Sequence, residues 1–344
     1  MPRGGSARKM GGTALVLLPY VGVSWSHRRS VRKGTLPTVP KSLRDSENRE
    51  ARAVHGDFDP GAQVGHAKVF DIVERIGEGG MGRVYKAFDP VMDRYVAMKV
   101  LKSDVPANER ERFRREAVIA ANFSHPNLPR VLDRGTVEAL GLEWMTLEYL
   151  RGRDLGEIID RNRKVALPVL LDIFEQTLDA LDYMHTRGIV HCDVKPDNIF
   201  ITRDPYDRRL VIVKLIDFGI CRRVDEVPPS RLMGDPRYMS PEQTYLGRPI
   251  DGRSDLYSLG LTLFETLVGL HPFPGADDDV EPVDLMRMHR SQPIPRLLEV
   301  LPELPPAVTT TLDAVLESAC AKEPEERFVS AAAMKAALGH VRPG

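Results

Sequence analysis

The chain has 344 residues, of which 42 % are hydrophobic and 28 % charged, and its formal net charge is −1. This composition is typical of a soluble globular protein, and the near-neutral charge excludes bulk electrostatic attraction to nucleic acid or anionic lipid. Three cysteines are too few for a disulfide framework and no run of eighteen apolar residues occurs, so we expect a cytoplasmic protein without a membrane span.

The first 65 residues are rich in Arg, Lys, Gly, Ser and Pro and show no sustained hydrophobic period. This pattern predicts a disordered basic leader over residues 1–65. An export signal is the alternative, because the apolar run Thr13–Trp25 follows basic residues. However, Pro19 and Gly22 interrupt that run and no small-residue cleavage site follows it.

From Val69 onward the pattern changes to short strand-like segments and then to helices. Strands are predicted at 69–76, 83–87, 95–101, 128–134 and 142–148, with one helix at 108–123 among them. After Gly152, helices are predicted at 167–187, 254–269, 282–291 and 306–322, with strands near 198–202 and 210–217. We therefore predict an α+β fold with a sheet-rich N-terminal lobe over residues 66–150, a larger helical lobe over residues 151–340 and a cleft between them.

A glycine cluster follows the first predicted strand and contains Gly77, Gly79 and Gly82. Glycines let the backbone approach phosphate oxygens and donate N–H groups to them. A dinucleotide-binding fingerprint would open a helix here, whereas Arg83–Ala87 is strand-like. The cluster therefore favours a glycine hairpin over the phosphates of a nucleotide, although such a motif alone is weak.

Lys99 lies on the third predicted strand and shares a face with Ala97, because alternate strand residues point the same way. A small Ala can cover a flat base while Lys99 reaches the phosphates. Glu116 lies on the apolar stripe of the predicted helix, and an inward carboxylate requires a cation. Two alternatives are a solvent-exposed Lys99 and a pair between Glu116 and Arg112 on the same helix.

The segments His191–Asn198 and Lys214–Gly219 carry the most informative motifs. Phosphoryl transfer requires a base near the acceptor hydroxyl, a cation on the moving phosphoryl group and oxygen ligands for Mg²⁺. In sequence order, these groups are supplied by Asp193, by Lys195, and by Asn198 with Asp217.

Together these motifs give the chain from about Val69 to Leu338 a resemblance to the eukaryotic-like (Hanks-type) protein kinases, and in particular to the bacterial serine/threonine branch. The segments that carry the resemblance are GEGGMGRVY, RFRREA, HPNL, KPDNIFI, YMSPEQ and DLYSLG. It implies a two-lobed fold with a small antiparallel sheet and one key helix in the N-terminal lobe. It also implies a non-specific serine/threonine protein kinase that uses ATP with Mg²⁺ or Mn²⁺ and acts on proteins.

The resemblance also implies residue roles. Phosphate contacts are expected from Gly77, Gly79, Gly82 and Lys99, the last paired with Glu116. The base and ribose are expected beside Val84, Ala97, Glu148, Leu150, Asp154 and Phe200, with Leu147 as gatekeeper. Asp193 would be the catalytic base, Lys195 the phosphoryl cation, and Asn198 and Asp217 the metal ligands. Structural roles are implied for three further residues: Glu242 and Arg327 would form a buried ion pair, and Asp255 would brace the catalytic loop.

Two residues depart from the family pattern. Cys192 stands before Asp193, where an Arg usually meets a phosphorylated residue of the activation loop, and Ser230 is the only Ser or Thr between Gly219 and Gly234. We therefore expect activity independent of phosphorylation in that loop. Asp235 replaces the usual Thr, and two close carboxylates, here Asp193 and Asp235, tend to raise the pKa of one of them.

The family also places Cys192 close to Cys221, so a redox-sensitive disulfide and two inert buried thiols are both open readings. A pseudokinase that binds nucleotide or partners without transferring phosphate is the main functional alternative. A small-molecule kinase on a related fold is a third, which the intact Ser240–Glu242 segment disfavours. The sequence does not identify the substrate, the upstream signal or the oligomeric state.

Overall fold

The computed structural model describes residues 53–54, 57–65, 69–79, 82–137, 140–161, 165–204, 207, 210–227, 231–276 and 280–341. Most of the predicted leader, residues 1–52, lies outside this set. Within the described part of the chain, no helix combines the length and the apolar character that crossing a membrane requires.

The N-terminal half is built on an antiparallel sheet that carries one helix. A short pair, β1 (Ala53–Val54) and β2 (Asp57–Phe58), precedes it. The sheet contains β3 (Gln63–Gly65), β4 (Val69–Glu78), β5 (Gly82–Asp89), β6 (Arg94–Leu101), β7 (Val131–Val137) and β8 (Leu142–Glu148). Its spatial order is β3-β4-β5-β6-β8-β7, and the helix α1 (Ala107–Ala121) connects β6 to β7.

Strand β6 shows the alternation expected from the sequence. Val96, Met98 and Val100 are buried in the core of this sheet, whereas Ala97 and Lys99 lie on the opposite, partly exposed face. The period of two in the side-chain direction thus separates the packing residues of β6 from the residues predicted to meet a nucleotide.

The predicted boundary at residue 65 is too late. Strand β3 pairs with β4, and the side chains of Phe58, Ala62 and Val64 are buried in the same core. The backbone N–H of Phe58 also donates to the Tyr85 hydroxyl at 3.2 Å. The strand is only three residues long and ends at Gly65, so its sequence resembles a loop more than a strand.

The C-terminal half is mainly helical. Its helices are α2 (Leu155–Asp160), α3 (Leu167–His185), α4 (Gly252–Val268), α5 (Pro282–Ser291), α6 (Leu297–Val300), α7 (Pro306–Ala319) and α8 (Ala331–Gly339). Its short strands are β9 (Gly152–Asp154), β10 (Ile189–Val190), β11 (Ile199–Arg203), β12 (Val211–Leu215) and β13 (Arg222–Arg223). Residues 254–265 of α4 are all buried, and this helix contributes to the main hydrophobic core of the C-terminal half.

A buried ion pair joins Glu242 to Arg327. The Arg327 guanidinium donates to both carboxylate oxygens, at 2.7 and 2.8 Å, and its other N–H groups donate to three backbone carbonyls. Its side chain is fully buried. The pair expected from the sequence therefore exists, and every N–H group of the Arg327 guanidinium donates a hydrogen bond.

Candidate active site

Lys99 and Glu116 form the first part of the site. The Lys99 ammonium donates to the two oxygens of Glu116 at 2.7 and 3.0 Å, so helix α1 is joined to strand β6. Arg112, the alternative partner, instead pairs with Glu109 one turn away. The interpretation of Glu116 as the partner of the strand lysine is therefore the one that the structure supports.

Asp217 lies on the other side of the same lysine. Its Oδ1 accepts from Lys99 at 3.0 Å, and this charge lowers the pKa of Asp217 to about 2, so Asp217 is a carboxylate at neutral pH. Burial opposes the charged form of Lys99, but Glu116 and Asp217 outweigh it and hold its pKa above the ordinary value. Asp217 has φ +65°, an uncommon conformation for a residue with a side chain.

The glycine cluster forms the turn between β4 and β5. The Gly79 N–H donates to the Gly82 carbonyl at 2.9 Å, and a Cβ on Gly82 would lie 2.6 Å from the carbonyl oxygen of Val100. Gly82 is therefore required by the packing of the sheet. Among the described residues, a Cβ on Gly79 would meet nothing within 4 Å, so there is room for a ligand to approach the backbone here.

The residues predicted to surround the base lie on paired strands. Val84 is opposite Lys99 across β5 and β6, Ala97 is opposite Leu147 across β6 and β8, and Phe200 is opposite Asp154 across β11 and β9. The predicted hinge residues are Glu148, the last residue of β8, and Leu150, two positions later.

Two of these residues also have structural partners. Asp154 is the N-cap of α2, where its Oδ1 accepts the Glu157 N–H at 2.7 Å. The Glu148 carboxylate accepts from the buried Lys214 ammonium at 2.6 Å.

The predicted base and phosphoryl cation are in contact. Asp193 Oδ2 lies 3.0 Å from the Lys195 ammonium and accepts from the Asn198 amide at 2.9 Å. The Asn198 amide N–H₂ also donates to the Asp193 backbone carbonyl at 2.8 Å. These bonds fix the Asp193 carboxylate and turn the carbonyl oxygen of the Asn198 side chain away from it.

Asp255 anchors the segment His191–Asn198, which carries Asp193. Its two oxygens accept the backbone N–H groups of His191 and Cys192, both at 2.8 Å, and the His185 ring nitrogen lies 2.8 Å from one of them. Cys192 has φ +66°. A non-glycine residue in this conformation persists where the surroundings fix it, and the Asp255 hydrogen bonds provide that constraint.

Asn198 and Asp217 have the donor chemistry that a Mg²⁺ ion prefers. One is a buried amide whose oxygen is directed away from Asp193, and the other is a carboxylate that uses Oδ1 for Lys99. Mg²⁺ binds oxygen ligands and commonly takes only one or two from the protein, with the rest from phosphate and water. The donor set therefore fits Mg²⁺ or Mn²⁺ held together with a nucleotide.

The sequence suggested a raised pKa for one of the two close carboxylates, Asp193 and Asp235; the pKa of Asp235 is lowered. Although burial favours its protonated form, hydrogen bonds and charge from Arg237 outweigh burial and lower the pKa of Asp235. The Arg237 guanidinium lies 3.1 Å from Asp235 Oδ2, and the Lys195 ammonium lies 3.7 Å from the same oxygen. Arg237 was missed by the sequence analysis, and its spacing of two residues from Asp235 in an irregular loop gave no signal.

All three cysteines are free and buried. Burial raises the pKa of the Cys192 and Cys221 thiols well above the ordinary value. The thiolate is the reactive form of cysteine, so these two groups are poor nucleophiles and inert packing is the reading that the structure favours.

A cavity of about 570 Å³ opens beside the catalytic groups. It is lined by Asp193, Lys195, Asp217, Gly219, Ile220, Gly234, Asp235 and Pro236. A larger cavity of about 650 Å³ lies between α3 and α8 and contains none of the predicted site residues. The smaller cavity is therefore the candidate site, since it brings together the predicted base, the predicted phosphoryl cation and one predicted metal ligand.

Comparison with known proteins agrees with this geometry. Residues 70–339 match the family model described as a protein kinase domain. Serine/threonine-protein kinase PknF of Mycobacterium tuberculosis is 38 % identical over 282 residues, which are 79 % of this chain and 56 % of PknF. Serine/threonine-protein kinase PksC of Streptomyces coelicolor is 38 % identical over 280 residues, which are 77 % of this chain and 48 % of PksC. The chain spans about half the length of these curated relatives.

Among solved structures, the crystal structure of the Mycobacterium tuberculosis PknI kinase domain has a TM-score of 0.62 and 30 % sequence identity. The similarity covers 83 % of this chain and all of that domain. The family match over most of the chain, the identity with the bacterial serine/threonine kinases and the shared fold lead to one conclusion. The chain belongs to the protein kinase family.

Proposed function

We propose that this chain is a serine/threonine protein kinase that transfers the γ-phosphoryl group of ATP to hydroxyl groups of protein substrates. The observation that carries the proposal is the single charge network that joins Glu116, Lys99 and Asp217, next to Asp193 held by Lys195 and Asn198. These are the parts that phosphoryl transfer requires, and catalysis here is mostly positioning and charge stabilisation.

In the proposed reaction, Lys99 contacts the non-transferred phosphates while Glu116 holds its ammonium in place. Asn198 and Asp217 would hold Mg²⁺ or Mn²⁺, and the metal ion would neutralise charge on the phosphates. Asp193 accepts the proton of the acceptor hydroxyl, and Lys195 stabilises the charge of the phosphoryl group in transfer. A pseudokinase would not need to keep all of these groups in mutual contact.

The cytoplasmic location stays a prediction.

The proposal is tested by incubating the purified protein with γ-labelled ATP, Mg²⁺ or Mn²⁺, and generic protein acceptors, followed by phosphoamino acid analysis. Label is expected on serine and threonine, and chelation of the metal should abolish transfer because the charge of the phosphates is then not neutralised. Label confined to a small molecule would contradict the protein acceptor, and label confined to tyrosine would contradict the acceptor class.

We also propose that the described residues of the activation loop, 219–227 and 231–234, are held in place without phosphate. The Glu226 carboxylate in that segment pairs with Arg115 of α1, and Arg231 pairs with Glu109 of the same helix. Both pairs connect the segment to the helix that carries Glu116. The Glu226 carboxylate thereby makes a charge-assisted pair with an arginine, which is the kind of pair that a phosphate in this loop would otherwise make. Ser230 itself lies outside the described residues.

Phosphatase-treated protein, confirmed by mass spectrometry to be unmodified, should therefore retain its rate within about twofold, a difference below roughly 0.5 kcal/mol in barrier. Ser230→Ala should behave in the same way, because the acidic pairs remain. A loss of about a hundredfold in either sample would show that phosphorylation of Ser230 is required and that the pairs to α1 are not sufficient.

A further inference from the structure

One wall of the catalytic cavity belongs to a short loop that we call the acceptor loop, residues 234–238. Gly234, Asp235 and Pro236 line the cavity together with Asp193. The Asp235 N–H donates to Asp193 Oδ1 at 3.3 Å. A protein hydroxyl that reaches Asp193 through this cavity would lie next to the loop, so the position of the loop bears on how an acceptor fits.

His289 of α5 holds the loop at Pro236. Its Nε2–H donates to the Pro236 carbonyl at 2.9 Å, and its Nδ1 lies 3.1 Å from the Tyr257 hydroxyl. The side chain is fully buried, and burial lowers its pKa to about 3, so the ring is neutral. A neutral ring has a single N–H, and the Pro236 carbonyl requires it at Nε2.

His271, which follows α4, holds the next carbonyl. Its Nε2–H donates to the Arg237 carbonyl at 2.8 Å, and its Nδ1 accepts the Phe273 N–H at 3.2 Å. The Phe273 ring packs edge-on against both histidines, with ring centroids 5.6 Å from His271 and 4.9 Å from His289. Two buried histidines thus bind consecutive carbonyls of the same loop.

A buried histidine is more often a packing residue than a functional one. Here, however, each ring donates its only N–H to the acceptor loop. The loop in turn carries the pair of Asp235 and Arg237, and Asp235 lies near Lys195. The Tyr238 hydroxyl is anchored to Glu265 at 2.6 Å, so the loop is fixed at its far end as well.

We propose that His271 and His289 are positioning residues that set the place of the acceptor loop and thereby the affinity for the protein acceptor. The proposal rests on the proposed kinase function, because the acceptor loop has this meaning only if a protein hydroxyl is phosphorylated. The residues proposed to contact ATP lie on other elements, so the affinity for ATP should not depend on these histidines.

The test compares His289→Leu with His289→Gln in the full chain. Leu removes the N–H, whereas the Gln side-chain amide has a similar reach and can donate to the Pro236 carbonyl. For His289→Leu, KM for a peptide acceptor is expected to rise about tenfold, with KM for ATP unchanged within about twofold. His289→Gln is expected to lie within about threefold of wild type for both substrates. His271→Leu and His271→Gln should form a second pair with the same pattern.

Leu338→Ala is the matched control, since Leu338 is fully buried in α8, a helix that packs against α3, α4 and α7. It should lower thermal stability and leave KM for the peptide unchanged. An equal rise in peptide KM for His289→Leu, His289→Gln and Leu338→Ala would assign the effect to general destabilisation and overturn the proposal. A peptide KM equal to that of wild type in both His289→Leu and His271→Leu would also overturn the proposal.

Hydrogen exchange of a peptide that spans residues 234–239 provides a readout that needs no activity. Tyr238 and Met239 donate their N–H groups to the Asp235 carbonyl, and these amides should exchange faster in His289→Leu but not in His289→Gln. Unchanged exchange in His289→Leu would overturn the positioning role. Faster exchange in a protein that transfers no phosphate would keep the positioning role and reject the kinase function instead.

Discussion

Replacing Lys99 by Met is expected to lower kcat by two to three orders of magnitude, roughly 3–4 kcal/mol in barrier, because it removes a preorganised cation from the phosphates. It also leaves the carboxylates of Glu116 and Asp217 without their shared counter-ion. The measurement is steady-state phosphorylation of a protein acceptor at saturating ATP, together with thermal melting to confirm that the variant is folded.

Lys86→Met is the matched control for this experiment. Lys86 also lies in the sheet, but its ammonium pairs with Glu74 and sits over the ring of Tyr95, and it does not line the catalytic cavity. It should retain its rate within about twofold. A folded Lys99→Met protein with a rate within threefold of wild type would refute the assignment of Lys99 to the phosphates.

Replacing Arg327 by Met is expected to reduce the free energy of unfolding by about 3–5 kcal/mol, since it leaves Glu242 buried without a counter-ion. Burial alone would raise the pKa of Glu242, but Arg327 outweighs it and lowers the pKa. The contribution of the pair is therefore present at neutral pH and is lost as the pH falls through this lowered value. Denaturant titrations at neutral pH measure the difference.

Arg287→Met provides the comparison with an exposed pair. Arg287 and Asp284 form an ion pair on the surface of α5, with 71 % and 48 % of their side chains exposed. Exposed pairs contribute about 0–1 kcal/mol, so this change should have little effect. Similar losses of stability in Arg327→Met and Arg287→Met would show that burial of the Glu242 pair is not what stabilises the helical lobe.

Part of this site was predictable because its signals are local. The position of Glu116 on an apolar helix stripe predicted an inward carboxylate, and the alternation on β6 placed Lys99 on the face opposite the core. Spacing along the chain was sufficient for these two residues. The motifs around Asp193 and Asp217 then predicted the remaining groups that we propose for catalysis.

Other features depend on contacts between distant segments. Arg115 and Glu226 are 111 residues apart, and nothing in either segment identifies the other as its partner. The short strand β3 ends at a glycine and has no visible period, so its pairing with β4 decides its structure. His289 gave one local signal, since it follows the buried Leu285 by four residues on α5, and a polar group on a buried stripe requires a partner.

In the proposed mechanism, Asp193 accepts the proton of a protein hydroxyl while phosphate is transferred. The most direct test is single-turnover transfer from ATP to a protein acceptor in wild type and Asp193→Asn, with ATP affinity measured in both. Asn keeps the size of the side chain but cannot take the proton. We predict transfer by wild type, a loss of 10²–10⁴-fold in Asp193→Asn, as general bases typically contribute, and ATP affinities equal within about threefold. Wild-type protein that binds ATP but transfers no more phosphate than Asp193→Asn would contradict the claim and establish a pseudokinase.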